Sequence, residues 1–71
     1  MDDLAFGRLI KLARLRRQMT QQELARRAGI SRAVVSRVEH GHLGGTGLST
    51  LRSLAAVLEI RVEVLARARG E

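Results

Sequence analysis

Cysteine, proline, tryptophan and tyrosine are all absent from this 71-residue chain, and phenylalanine occurs once. Without cysteine, neither disulfides nor a thiolate metal site can supplement a hydrophobic core. The sequence therefore carries no positive sign of redox compartment, and a reducing cytoplasm is the default expectation. With so few aromatics there are almost no platforms on which bases could stack, which disfavours single-strand or RNA-platform binding. No apolar run approaches the roughly 20 residues needed to span a bilayer. The opening MDDLAFGR lacks the basic-then-apolar order of a secretion signal. A soluble protein is expected.

Acids are also scarce, 7 against 13 lysines and arginines, which leaves a formal charge of +6. What is abundant is Leu, Ala and Val, a palette that suits closely packed helices, together with arginine, which supplies every basic residue but Lys11. Between Arg8 and Arg37 the only acid is Glu23. Solvated helix faces are one reading of this excess. The other is a polyanionic partner, because the guanidinium offers a planar fork that matches phosphate and guanine edges. A chain of this length is expected to form one domain, near the lower limit at which a core stabilises a fold unaided.

Asp2 and Asp3 precede a helical pattern carried by Phe6, Leu9, Ile10 and Ala13, and predict a first helix at about residues 4–18. Thr20 and Glu23 form a T-x-x-E capping box that starts a second helix at Gln21, and Gly29 is where a left-handed stop is expected, giving 21–28. Ser31 caps a third helix at 32–40 that ends before Gly41. The glycine-rich HGHLGGTG excludes regular structure, and Leu48, Leu51, Leu54, Ala55 and Leu58 restore helical period over 48–58. Beyond that, Ile60, Val62 and Val64 alternate with Arg61, Glu63 and Leu65, which favours a strand at about 60–66. Leu51, Ala55, Leu58, Val62 and Leu65 also fit a heptad seam, so a continuing helix stays open. A strand here would have to pair, most simply with its copy in a second subunit, which makes Ile60, Val62 and Val64 candidate dimerisation residues.

Two short helices across a tight bend need a small residue at their crossing and a glycine in the turn, needs that Ala25 and Gly29 meet. In the third helix Val34, Val35 and Val38 form the side that faces inward. The opposite stripe, Ala33, Ser36, Arg37 and His40 with Arg32 beside it, recurs at i, i+3, i+4, i+7 and so shares one face. Small residues at 33 and 36 leave room for close approach to a surface. In a DNA major groove the arginines would pair with guanine O6 and N7, Ala33 would touch a thymine methyl, and Ser36 would bond either base. His40 and His42 lack an accompanying carboxylate or thiolate cluster and read as phosphate-facing or solvated rather than as a metal site. No catalytic set or phosphate-loop signature is visible, so neither an enzyme nor a cofactor is expected.

The stretch TQQELARRAGISRAVVSRVEHG resembles the Cro and phage-repressor type helix-turn-helix domains of the Xre family, a likeness that extends over about residues 4–58. It implies a lambda-repressor-like, all-α bundle of four helices, here followed by a short C-terminal strand or a helix extension at 59–71. It further implies that Gln21 contacts a phosphate, that Arg32, Ala33, Ser36 and Arg37 face bases, and that the loop after the third helix lies along the DNA backbone. Arg14 and Glu39 occupy the places of a family ion pair that clamps the first helix to the third. The family usually has glycine near residue 59, where this chain has Glu59.

The expectation is thus a dimeric, sequence-specific binder of duplex DNA at an inverted repeat, a transcriptional regulator of repressor type, cytoplasmic and associated with the nucleoid. Phosphate anchoring would fall to Gln21, Arg17, Ser31, His40 and the loop residues Gly44, Gly45, Thr46 and Gly47, with Arg26 and Arg27 nearby. The rival expectations are an antitoxin-like module that neutralises a toxin-like partner protein, and the DNA-binding piece of a longer regulator. A membrane-surface role fits poorly, because the arginines are spread over several capped short helices.

Overall fold

The computed structural model describes residues 2–61, which form four α-helices: α1 (Asp3–Arg16), α2 (Gln21–Ala28), α3 (Arg32–Glu39) and α4 (Leu48–Leu58). Three of them begin with a side chain that takes up an otherwise orphaned backbone donor. Asp2 accepts from the Ala5 amide at 2.8 Å. Thr20 accepts from the Glu23 amide at 3.0 Å while the Glu23 carboxylate accepts from the Thr20 amide, a closed capping box. Ser31 accepts from the Val34 amide at 3.2 Å. The fourth helix begins at Gly47, which has no side chain to do the same.

All four helices stop by one device. A residue in the left-handed region turns the chain back, and the amide after it returns to a carbonyl one turn down. At α1 that residue is Gln18, with the Met19 amide on the Arg14 carbonyl. The helix accordingly ends at Arg16, two residues before the position that periodicity predicts. Gly29 and Gly41 terminate α2 and α3, with the Ile30 amide on Ala25 and the His42 amide on Arg37. His40 is therefore the C-cap of α3 rather than part of it.

At α4 the reversal falls on Glu59, φ 56° and ψ 38°, and the Ile60 amide returns to the Ala55 carbonyl at 2.9 Å. Helix α4 therefore does not run on unbroken through Glu59, as the heptad reading of Leu51, Ala55 and Leu58 would have it. A side chain can replace glycine here because the reversal buries Leu58 and folds Ile60 back onto the core, and the exchange outweighs a left-handed penalty of about 1 kcal/mol. The strand expected at about 60–66, with Val62 and Val64, lies outside the described residues, apart from Ile60 and Arg61.

The core is a single cluster in which Phe6, Ile10, Leu24, Val35, Val38, Leu54 and Leu58 are fully buried, so every helix contributes to it. Leu43 reaches in from the glycine loop and Met19 from the α1–α2 turn. Helix α1 crosses α3 at Gly7 with no room to spare. A Cβ there would collide with the Val38 carbonyl oxygen and stand 2.7 Å from that of Glu39. No helix among the described residues is long and apolar enough to cross a membrane.

Candidate nucleic-acid interface

Helices α2 and α3 meet across Gly29, whose φ of 72° gives the bend, with Ala25 of α2 almost wholly buried. Val35 and Val38 anchor the inner side of α3, and Val34 is half-buried beside them. The outer side carries Arg32, Ala33 and Arg37, all exposed, with Ser36 partly so. The geometry is therefore a short helix pinned along one side, presenting two guanidinium groups around two small residues on the other. His40 sits at the end of the same face, its Nδ1 2.7 Å from the Ser36 carbonyl oxygen. Since that oxygen only accepts, Nδ1 carries the hydrogen and donates it.

Behind this face lies a buried charged network. Arg14 of α1 donates from Nε to Glu39 Oε2 at 2.7 Å and from Nη2 to Oε1 at 3.1 Å, a two-point pairing between residues only 7% and 6% exposed. Its remaining nitrogen, Nη1, donates to the Met19 carbonyl oxygen at 2.8 Å. Glu39 Oε1 also accepts from Gln21 Nε2 at 3.0 Å, and Gln21 Oε1 in turn accepts from Arg32 Nη1 at 3.3 Å. One chain of hydrogen bonds thus runs from α1 through the end of α3 and the start of α2 to the first residue of the exposed face. Among the described residues no buried side-chain polar atom is left without a partner, so the cost of burying these charges is met internally.

A helix-turn-helix family model matches residues 10–65 of this chain. The chain belongs to the Xre-type helix-turn-helix family. Members of this family are DNA-binding transcriptional regulators. The uncharacterized HTH-type transcriptional regulator RghRB of Bacillus subtilis (strain 168) is 38% identical over 65 residues, which cover 92% of this chain and 47% of the relative. The HTH-type transcriptional repressor RghR of the same organism is 36% identical over 61 residues, 86% of this chain and 45% of the relative. The chain spans about half the length of these curated relatives.

Within this helix-turn-helix frame the candidate residues fall into separate groups. Arg32, Ala33, Ser36 and Arg37 share the outer side of α3, and Gln21 and Ser31 stand at the two helix starts beside it. Gly44, Gly45 and Gly47 are exposed and Thr46 half-buried in the loop into α4. Arg17 is drawn to a different place. It donates from Nε to the Leu58 carbonyl oxygen at 3.0 Å and pairs through Nη2 with Glu59 at 2.7 Å, so its guanidinium fastens the ends of α1 and α4 together. Ile60, the one candidate dimerisation residue that is described, is half-buried against the core. Val62 and Val64 lie outside the described residues.

Sequence reasoning passed over Gly7, Met19 and the Gln21 link between Glu39 and Arg32. A glycine inside a helical pattern, which costs about 1 kcal/mol relative to alanine, was the available signal for Gly7. The other two depend on residues far apart in the chain and left no local trace.

Proposed function

We propose that this chain reads duplex DNA through the outer face of α3, as a homodimer on an inverted-repeat operator, and represses transcription there. Residues 1–58 would supply the DNA-binding unit and residues 59–71 the pairing element, and the protein would act in the cytoplasm at the nucleoid. The observation that carries this reading is the exposed set Arg32, Ala33, Ser36 and Arg37 on a helix locked from behind by the Arg14–Glu39 pair. A rigid helix with two forked donors around small residues fits the major groove, where a bidentate arginine distinguishes guanine from the other bases.

The loop gives independent support. A side chain at Gly44 or Gly47 would meet nothing within 4 Å, and neither residue is among those at positive φ, so the fold itself makes no demand for glycine at either position. A partner surface approaching from outside does make that demand, and a phosphate backbone laid along the loop is such a surface. Gly47 also leaves the first amides of α4 without a side-chain cap, free to donate to phosphate oxygens. Two copies of α3 related by a two-fold axis would enter major grooves about 34 Å apart, one helical turn.

The test is equilibrium binding to a selected operator over a range of salt. Affinity should fall steeply as salt rises, by about 0.9 logarithmic units per logarithmic unit of salt for each phosphate neutralised. A complex insensitive to salt would overturn the proposal. Gly44→Ala should weaken the complex and leave the melting temperature unchanged, whereas unchanged affinity would remove the loop from the interface.

A further inference from the structure

Among the described residues, three of the four large apolar side chains that stand in solvent lie on α1: Leu4 at 48%, Leu12 at 54% and Leu15 at 50% exposed. Leu4, Arg8, Lys11 and Leu15 follow at i, i+4, i+7 and i+11 and form a single stripe, with Leu12 and Arg16 beside it. The side of α1 that carries Phe6, Ile10 and Arg14 is buried, so the stripe is the outer face of the helix. Its two ends are about 17 Å apart, and Arg8 and Lys11 fill the middle. Asp3, the only acid on α1, stands about 100° around the helix from Leu4 and so lies off the stripe. Among the described residues Arg8, Lys11 and Arg16 have no acidic partner, the two salt bridges being those of Arg14 and Arg17.

We propose that the outer face of α1 docks an acidic amphipathic helix of another protein, whose apolar residues cover Leu4, Leu12 and Leu15 and whose carboxylates reach Arg8 and Lys11. Charge sets the occupant. A second copy laid along the stripe would bring Arg8 and Lys11 against the same two cations, because they lie midway between its apolar ends. An anionic lipid surface suits a helix with cations at the margin of its apolar face, whereas here they stand between the leucines and would be drawn into the acyl boundary with them. A duplex backbone matches the cations but offers the leucines nothing apolar. A partner helix with carboxylates at its centre and apolar residues toward both ends satisfies the whole stripe. The proposal goes beyond the DNA-reading face of α3 and does not rest on it.

The probe is a labelled synthetic helical peptide with leucines at i, i+3 and i+11 and glutamates at i+4 and i+7, the reversed spacing of the stripe. Its anisotropy is read on titration with the full-length chain. Binding should saturate. It should weaken about tenfold in Arg8→Glu with Lys11→Glu, and about tenfold in Leu12→Ser with Leu15→Ser, the loss expected of two exposed ion pairs or two covered leucines. Both variants should melt with the unaltered chain, since all four side chains are exposed. Exchanging the glutamates of the peptide for lysines should restore binding to the Arg8→Glu, Lys11→Glu variant. No saturable binding, or equal binding of a peptide of scrambled order, would overturn the proposal. Leucine-dependent sedimentation with phosphatidylglycerol vesicles in place of peptide binding would overturn it in favour of a membrane. Loss of self-association in the Leu12→Ser, Leu15→Ser variant would overturn it in favour of a second copy. Operator affinity should be unchanged in that variant, and a loss would place the stripe against DNA and overturn the proposal as well.

Discussion

On the side formed by α1, α2 and α3, each helix end is capped or bonded, Gly29 and Gly41 take the left-handed turns of α2 and α3, and the buried charges are paired. Where α1 meets the last turn of α4, a glutamate holds the left-handed turn, an exposed ion pair holds the glutamate, and two leucines stand half in water. The first region is closed on itself and presents a polar face that the domain does not need for its own packing. Among the described residues the second is open, with apolar side chains exposed to solvent. The buried charged network is thus concentrated behind the face proposed to read DNA, and the exposed leucines Leu12 and Leu15 stand on another side of the same end of α1.

The largest expected effect lies in the closed region. Glu39→Ala leaves Arg14 buried without its partner and frees the Gln21 amide, and should cost about 3 to 5 kcal/mol by thermal or denaturant unfolding. Replacing both partners with apolar residues of similar size, Arg14→Met with Glu39→Leu, should recover most of that loss. Failure to recover would mean that the network supplies more than mutual charge compensation.

Gly7→Ala comes next. It drives a methyl group into the Val38 and Glu39 carbonyls, and should destabilise by about 1 to 3 kcal/mol despite a better helix propensity. An unchanged melting temperature would show that α1 and α3 can separate without penalty. Arg32→Ala and Arg37→Ala should behave in the opposite way, leaving stability intact and costing about 1 to 3 kcal/mol each in operator binding. Loss of folding with no selective loss of binding would return these arginines to a structural role.

The smallest effect probes the open region. Glu59→Gly removes a left-handed penalty of about 1 kcal/mol and forfeits an exposed ion pair worth a few tenths. A net gain of about 0.5 kcal/mol is expected from that balance. Gly29→Ala, at the matching position of the closed region, should instead lose about 1 kcal/mol. If Glu59→Gly were destabilising, the Arg17–Glu59 contact would be a strong latch rather than a weak one.

The two regions also differ in how far they could be read from sequence. The four-helix order and the family were legible because their signals are local: a capping box at Thr20 and Glu23, a serine before Arg32, and a glycine at the bend. The Arg14–Glu39 contact spans 25 residues and was reached through family resemblance, since no spacing rule brings those two side chains together. The end of α4 resisted reading because its stop depends on tertiary packing. Glu59 has no preference for the left-handed region, and the burial of Leu58, the return of Ile60 and the Arg17 contact hold it there. Charge alone points Arg17 at phosphate, whereas its place beside Leu58 and Glu59 follows from how α1 ends.

The central claim, that the outer face of α3 reads bases at two symmetry-related half-sites, is tested most directly by selecting bound sequences from a random duplex pool with the unaltered chain and with Arg37→Ala. The unaltered chain should enrich an inverted repeat whose half-sites lie about one helical turn apart, and Arg37→Ala should lose preference at one position in each half-site. Enrichment of no motif, or of the same motif by both proteins, would contradict the account.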